Sequence, residues 1–300
     1  MIVVFGSINI DLVTRAKIPA PGETTLGGDY VAVPGGKGAN QALAARRAGA
    51  KVSLVGACGA DSFAGLALAL INAEGVDLSA TRTVAKPTGT AFIVVDPTTG
   101  ENAIVVASGA NAAASADPLE GLPFGDGDLL LLQREVPDAE VEAAALLAKT
   151  RGAQVMLNLA PAGKPSEALL GALDYLCVNE HEAVTLGAAL KVEAIEPEAI
   201  GAALSRRYGF AVIVTLGPAG AVGFADGERV FAPSPKIVAL DTTAAGDTFV
   251  GAFAAARDRG LSFAEAMKRG AVAGSLACTK PGAQTSMPTA AEIEALAAAN

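Results

Sequence analysis

Leu129-Leu130-Leu131-Leu132, followed by Gln133-Arg134-Glu135 and then by the helical pattern of Ala139–Lys149, sets the reading of this chain. Four consecutive apolar residues ended by polar ones read as a strand buried on both faces. The unit recurs downstream: Gln154–Asn158 and Tyr175–Val178 read as strands, Glu180–Leu186 and Pro197–Tyr208 as helices, and Ala211–Leu216 as a further strand. Strands alternating with helices imply βα units, and therefore an α/β fold with a mostly parallel sheet covered by helices. Ligands of such sheets bind beyond the carboxyl ends of the strands. Polar residues collect there: Glu135, Asn158, Asn179, Glu182 and the Thr215-Leu216-Gly217 turn.

Working back toward the amino terminus, residues 2–5 read as a buried strand that leads into a loop, Gly6-Ser7-Ile8-Asn9-Ile10-Asp11. Asn9 and Asp11, two apart in extended chain, point the same way and could hold adjacent hydroxyls of a small ligand; alone they read as readily as an Asx turn. Residues 12–34, with Pro19, Pro21, Gly22, Gly27 and Gly28, lack a helical period, and Ala91–Asp96 and Asn102–Ala107 flank the turn Pro97-Thr98-Thr99-Gly100 as a hairpin. A small β lid built from about 12–34 and 89–106 is expected, inserted in a single domain spanning 1–300. Toward the carboxyl end, Ala221–Ala225 and Arg229–Ala232 flank Asp226-Gly227 as a second hairpin. Helices follow near Asp247–Asp258, Phe263–Cys278 and Ala290–Ala299, the last with Thr289 as N-cap.

The chain has 300 residues, 51% of them hydrophobic, enough for a substantial core. A net charge of −9 would repel nucleic acid and anionic membrane at long range, so a small-molecule ligand is expected, with neither of those as partner. The amino terminus carries no secretory pattern, no run suggests a membrane span, and a cytoplasmic location is expected. Cys58, Cys177 and Cys278 fit neither a disulfide framework nor a zinc site and read as buried, reduced thiols. His181 is the lone histidine, so acid–base work falls to a carboxylate.

Two stretches carry chemistry. Asp241-Thr242-Thr243-Ala244-Ala245-Gly246-Asp247-Thr248-Phe249-Val250-Gly251-Ala252 interrupts an apolar run with small residues and two carboxylates. The amides of a helix starting here could face a phosphate, and Asp247 beside them could take a proton from an attacking hydroxyl. By itself the stretch reads equally well as a helix start whose small residues allow close packing against a strand. Pro34-Gly35-Gly36-Lys37-Gly38-Ala39-Asn40-Gln41-Ala42 lets backbone approach a ligand, with Lys37 and Asn40 as donors at a helix start and the helix ending at Gly49. Its spacing is neither a Walker A loop nor a dinucleotide fingerprint, which counts against a Rossmann dehydrogenase.

Together with Gly6–Asp11, Gly109-Ala110-Asn111-Ala112, Asn179-Glu180-His181-Glu182 and Gly282-Ala283-Gln284, these two runs resemble, in order and over essentially the whole chain, segments of the ribokinase-like (PfkB) sugar kinases. The resemblance implies a three-layer α/β/α sandwich with a mostly parallel central sheet and a β lid that closes over sugar. It implies ATP-dependent phosphorylation of a sugar's primary hydroxyl, D-ribose at O5 being the expected substrate because Lys37 and the Asn9/Asp11 pair crowd the pocket with hydrogen-bonding groups. Kinases for fructose, deoxyribose or adenosine are the alternatives, and a non-catalytic sugar-binding regulator a remoter one. By the same likeness Asp247 is the base and Ala244, Ala245 and Gly246 form an anion hole. Asn9, Asp11, Gly36, Lys37, Asn40 and Glu135 match sugar-binding positions, while Asn179, Glu182, Thr215 and Gly217 match those serving ATP and Mg2+. A K+ cage is implied from Asp241, backbone carbonyls near Thr243, Ala277, Lys280 and Gly282, and the Ser286 hydroxyl, although Lys280-Pro281 stands where the family more usually has a basic pair. His181, at a variable position of its motif, reads as an exposed helix residue. The lid is the expected surface of a homodimer.

Overall fold

The structure, a computed structural model, describes residues 1–299. Strand β1 (Ile2–Phe5) leads into β2 (Asn9–Arg15) and β3 (Tyr30–Gly35), then helix α1 (Lys37–Arg47), β4 (Val52–Gly59), α2 (Ser62–Ala73), β5 (Thr81–Val84), and the hairpin β6 (Gly89–Val95) and β7 (Asn102–Ala107). The second half runs β8 (Leu129–Leu132), α3 (Asp138–Thr150), β9 (Gln154–Asn158), α4 (Glu167–Gly171), β10 (Tyr175–Asn179), α5 (Glu180–Ala189), α6 (Pro197–Tyr208) and β11 (Ala211–Thr215). Strands β12 (Gly220–Ala225) and β13 (Glu228–Pro233) precede α7 (Ala245–Asp258), α8 (Phe263–Ala277) and α9 (Ala290–Ala299).

Nine strands form the main sheet in the order β13-β12-β11-β10-β9-β8-β1-β4-β5, parallel except for the two antiparallel pairings at the β13 end. Alternation along buried strands sends side chains to two cores. Ile2, Val4, Leu129 and Leu131 pack with α1, α7 and α8 on one face. Val3, Phe5, Leu130 and Leu132 pack with α3, α5 and α6 on the other. The three-layer α/β expectation holds.

Four strands form the second sheet, β3-β2-β6-β7, with β2 antiparallel to β3 and parallel to β6. The lid is thus assembled from two separated segments, but it begins earlier than expected. Asn9–Asp11 is not a loop: it opens β2, so Asn9 and Asp11 ride on the lid's first strand where that strand leaves the main core.

Other boundaries moved for local reasons. Helix α7 starts at Ala245 rather than Asp247, because Ala244 adopts the left-handed conformation (φ 58°) and turns the chain into the helix two residues sooner. Helix α1 starts at Lys37, so Lys37, Asn40 and Gln41 all stand in its first turns. Strands β4 and β5, with α2, occupy a region where no element was expected. Small residues mask β4 there: a Cβ at Gly56 would sit 2.6 Å from the Gly6 carbonyl oxygen, so the strand trades side chains for close approach.

Candidate active site

The carboxyl ends of β1, β8, β9, β10 and β11 converge with the amino-terminal turns of α1 and α7. Close backbone contact makes this possible. A Cβ at Gly38 would lie 2.6 Å from Ser7 N, and one at Gly251 would lie 2.5 Å from Ala44 Cβ and 2.8 Å from Gln41 O. The small residues of the Asp247 run therefore pack against a helix, α1, rather than a strand. That contact hangs Asn40 and Gln41 directly over Asp247.

Asp247 is 8% exposed. Its Oδ2 accepts from Asn40 Nδ2 at 3.0 Å and its Oδ1 from Gln41 Nε2 at 2.8 Å. Burial pushes its carboxyl above the usual range, while Lys37, Asn40 and Gln41 pull it back toward ionisation. Lys37 is held charged by the field of Asp247 first, and also of Glu135, Glu182 and Asp11. It forms no direct ion pair among the described residues.

Of the expected sugar residues, Asn9, Asn40 and Glu135 hold side-chain partners, whereas the Asp11 carboxylate and the Lys37 ammonium have none among the described residues. Glu135 Oε2 accepts from Ser7 Oγ at 2.5 Å and from the Lys37 amide at 3.1 Å. Asn9 Oδ1 accepts from Asn111 Nδ2 at 2.6 Å, which leaves its own amide N–H free to donate. Gly36 has φ +88°, and a Cβ there would meet Asn9 N at 2.8 Å. Asp11 is half-buried and pushed up to about 6 by burial and by the neighbouring carboxylates of Glu135 and Asp247. A cavity of about 420 Å³ opens beside Asn9 and Glu135, lined also by Ser108, Asn111, Arg134 and Pro161 among others, whereas Asp11, Gly36, Lys37, Asn40 and Asp247 do not line it.

A second cavity, of about 620 Å³, is lined by Thr215, Gly217, Ser234, Ile237, Thr242, Gly246, Phe249 and Cys278 among others. A methyl on Gly246 would meet no protein atom within 4 Å, and its φ is not left-handed. Neither packing nor conformation demands glycine there; the space suits a ligand. Of the three amides expected at an anion hole, that of Ala245 bonds the Thr242 carbonyl at 3.2 Å, while those of Ala244 and Gly246, and that of Asp247 beyond them, have no backbone acceptor among the described residues.

Asn179 and Glu182 do not line this cavity. They form a reciprocal capping box on α5, with Asn179 N donating to Glu182 Oε2 and Glu182 N to Asn179 Oδ1, both at 2.8 Å. Glu182 Oε1 has no hydrogen bond among the described residues. His181 is exposed, as expected. Cys58 and Cys177 are buried, but the expectation of three buried thiols fails at Cys278, which is half-buried at the cavity wall because it caps α8 instead of lying inside it.

Asp241 links the two loops expected at the cation cage: its Oδ1 accepts from Thr243 N and Oγ1, and its Oδ2 from Gly282 N at 2.8 Å. Although burial works against it, these hydrogen bonds hold its carboxyl below the usual range. The carbonyls of Thr243, Lys280 and Gly282 accept no hydrogen bond among the described residues, the Ala277 carbonyl accepts from Lys280 N, and the Ser286 hydroxyl donates to Ala283 O.

Several site residues escaped the sequence reading. Gln41 sits inside the Pro34–Ala42 run beside Asn40, Asn111 inside another motif, and Gln133 is the first polar residue after the Leu129–Leu132 strand. Each was in view as part of a stretch; none showed its partner.

A sheet flanked by helices, a small β lid, and a buried carboxylate held by two side-chain amides one residue from a cavity wall fit a small-molecule kinase. The chain belongs to the pfkB family of carbohydrate kinases, whose profile matches residues 1–290. Among its relatives is the ribokinase of Haemophilus influenzae, 40% identical over 294 residues and covering 96% of this chain and 95% of that protein. That of Bacillus subtilis is 37% identical over 98% of both. Of solved structures, Thermotoga maritima ribokinase superposes with a TM-score of 0.91 at 35% identity, covering 100% of this chain and 99% of that one. Arabidopsis thaliana ribokinase, in complex with ribose and ATP, superposes with a TM-score of 0.88 at 31% identity, over 99% and 98%.

Proposed function

We propose that this carbohydrate kinase transfers the γ-phosphoryl group of ATP to O5 of D-ribose, with Asp247 as general base. The carrying observation is the Asp247 carboxylate, buried and oriented by Asn40 and Gln41, one residue from Gly246 at the wall of the larger of the two cavities. Hydroxyls of a free pentose match the donors and acceptors of Asn9, Asp11, Asn40 and Glu135. Asp247 takes the proton of the attacking hydroxyl, and the Gly246 and Asp247 amides face the charge that develops on the transferring phosphoryl. Likeness to ribokinases, one of them holding ribose and ATP, supports the substrate.

Four carboxylates, those of Asp11, Glu135, Glu182 and Asp247, surround a single ammonium, Lys37. Such a site would repel a polyphosphate unless cations accompanied it. The open Oε1 of Glu182 suits a hydrated magnesium, which keeps most of its waters, with Asn179 holding Glu182 in place. Magnesium would supply charge neutralisation at the phosphates. The three unpartnered carbonyls with Asp241 and Ser286 have the oxygen-only chemistry that suits a monovalent cation, and K+ there would steady the Thr243–Gly246 backbone.

The reading is of one functional domain in a reducing, cytoplasmic setting, consistent with three unpaired cysteines. The exposed apolar side chains Tyr30, Phe92 and Val105, which the strand register places on one face of the lid, would pair with a second copy. Substrates offered in turn, with ADP release as the signal, test the assignment: ribose should exceed fructose, deoxyribose and adenosine in kcat/KM, and a reversed order overturns the substrate. Asp247→Asn should fold and bind ribose yet lose about 10²–10⁴ in turnover.

A further inference from the structure

Behind Asp247 lies a chain of side-chain amides that touches neither cavity's expected ligand. Gln133 Nε2 donates to Gln41 Oε1 at 2.6 Å, and Gln41 Nε2 donates in turn to Asp247 Oδ1 at 2.8 Å and to Asn158 Oδ1 at 3.1 Å. Asn158 is itself oriented, its Nδ2 reaching the Cys177 carbonyl at 3.4 Å. Both glutamines are fully buried. Gln133 enters only because residue 6 is glycine, since a Cβ there would fall on its side-chain oxygen.

A carboxamide can present either its NH2 or its oxygen, and the two ends have opposite effects on a carboxylate. With Nε2 toward Asp247, Gln41 stabilises the anion; with Oε1 toward it, two acceptors would face each other without solvent. Gln41 is held in the first orientation from both ends, by the donor on Gln133 and by the acceptor on Asn158. Helix α1, through Gln41, therefore carries a signal from the ends of β8 and β9 to the base on α7.

We propose that Gln41 is a positioning residue that aims the Asp247 carboxylate and stabilises its anion, and that Gln133 sets the direction of the Gln41 amide. The proposal rests on the reading of Asp247 as base. Other charged groups facing Asp247 are Lys37 on α1, which favours its anion, and Asp11 on β2, Glu135 after β8 and Glu182 on α5, which oppose it; Cys177 on β10 stands neutral nearby. None of these is altered by changing either glutamine.

The test is the pH profile of kcat for Gln41→Leu and Gln133→Met, with ribose and ATP and with folding checked by thermal melting. In Gln41→Leu the acid limb should move up by about one pH unit, a tenfold change in proton affinity, while the KM for ribose stays within about twofold. Gln133→Met, which does not touch Asp247 and adds no charge, removes the donor that fixes Gln41 and should move the limb the same way. If either variant fails to fold, Gln41→Asn, whose shortened amide falls short of Asp247, gives the same readout. An unmoved acid limb in folded Gln41 variants overturns the proposal, as does a loss confined to the KM for ribose. Asp247→Asn separates the two ideas: if it keeps near-normal turnover the base assignment fails, whereas an inactive Asp247→Asn beside an unmoved Gln41→Leu profile removes only the positioning role.

Discussion

The Asn40 side-chain N–H donates to Asp247 Oδ2 at 3.0 Å across 207 residues of sequence, while Asn40 Oδ1 is buried without a partner. One amide thus has two ends with two tasks. The nitrogen orients the base, and the oxygen is left to accept from a ligand hydroxyl, since a buried acceptor without a donor is costly.

Asn40→Ala should therefore damage chemistry as well as binding. A lost hydrogen bond to a charged group is worth about 1.5–3 kcal/mol, roughly 10- to 150-fold. The kcat should fall by about that factor and the KM for ribose should rise, with the KM for ATP little changed. Steady-state kinetics with each substrate varied decide it; a change in ribose KM alone would mean that the bond to Asp247 has no catalytic weight.

Asp11 predicts opposite effects of pH on stability and on binding. Its folded carboxyl lies at about 6, above the ordinary value near 3.9, so the native state holds this proton more tightly than the unfolded chain does. The stability it contributes is full below about pH 4 and is lost as pH rises through about 6. Asp11→Asn, which is neutral throughout, should melt above wild type at pH 8 and converge with it near pH 4. Ribose binding should show the reverse, because sugar hydroxyls donate best to the anion: wild-type affinity falls below about pH 6, and the variant binds weakly at every pH. Calorimetric melting and ribose titration across pH 4–8 check both, and a variant no more stable than wild type at pH 8 contradicts the assignment.

Asp241 joins Thr243 to Gly282, tying the loop before α7 to the loop after α8. Turnover should rise in KCl over NaCl at matched ionic strength by about tenfold, within the usual range for coupling between two sites. Asp241→Ala should abolish the difference. Equal rates in both salts for the wild type would dispose of the cation cage.

Gly251 sets two helix effects against each other. Replacing a mid-helix glycine by alanine gains about 1 kcal/mol of propensity, but overpacking typically costs about 1–3 kcal/mol. Here the added Cβ would lie 2.5 Å from Ala44 Cβ and 2.7 Å from Ala45 N, and the helix backbone of α1 cannot rotate out of the way. The clash should win: Gly251→Ala lowers the melting temperature, and residual activity falls further because α1 carries Asn40 and Gln41. A more stable variant would show that α1 and α7 can slide apart freely.

The layered fold was legible in the sequence because buried parallel strands must be continuous apolar runs: Leu129–Leu132 and Tyr175–Val178 could be little else. The two signature runs likewise exposed their loops, since glycines and a lone lysine or aspartate have no place in an apolar core. Strand β4 stayed hidden for the converse reason, its Gly56, Ala57 and Gly59 being chosen for close approach to neighbouring backbone instead of for apolar bulk.

Local sequence also allotted Asn9 and Asp11 to a loop, although they open a lid strand. Pairing decides this: β2 hydrogen-bonds to β3 and to β6, and the latter begins 80 residues after Asn9, so nothing within a short window reports it. Residue types determined that a carboxylate would stand at a helix start beside glycine. Only the tertiary structure decided which amides meet it, because Asn40, Gln41 and Gln133 read alike as polar residues until packing at Gly6, Gly38 and Gly251 brings β8, α1 and α7 within hydrogen-bond distance and gives Gln41 partners at both ends of its carboxamide.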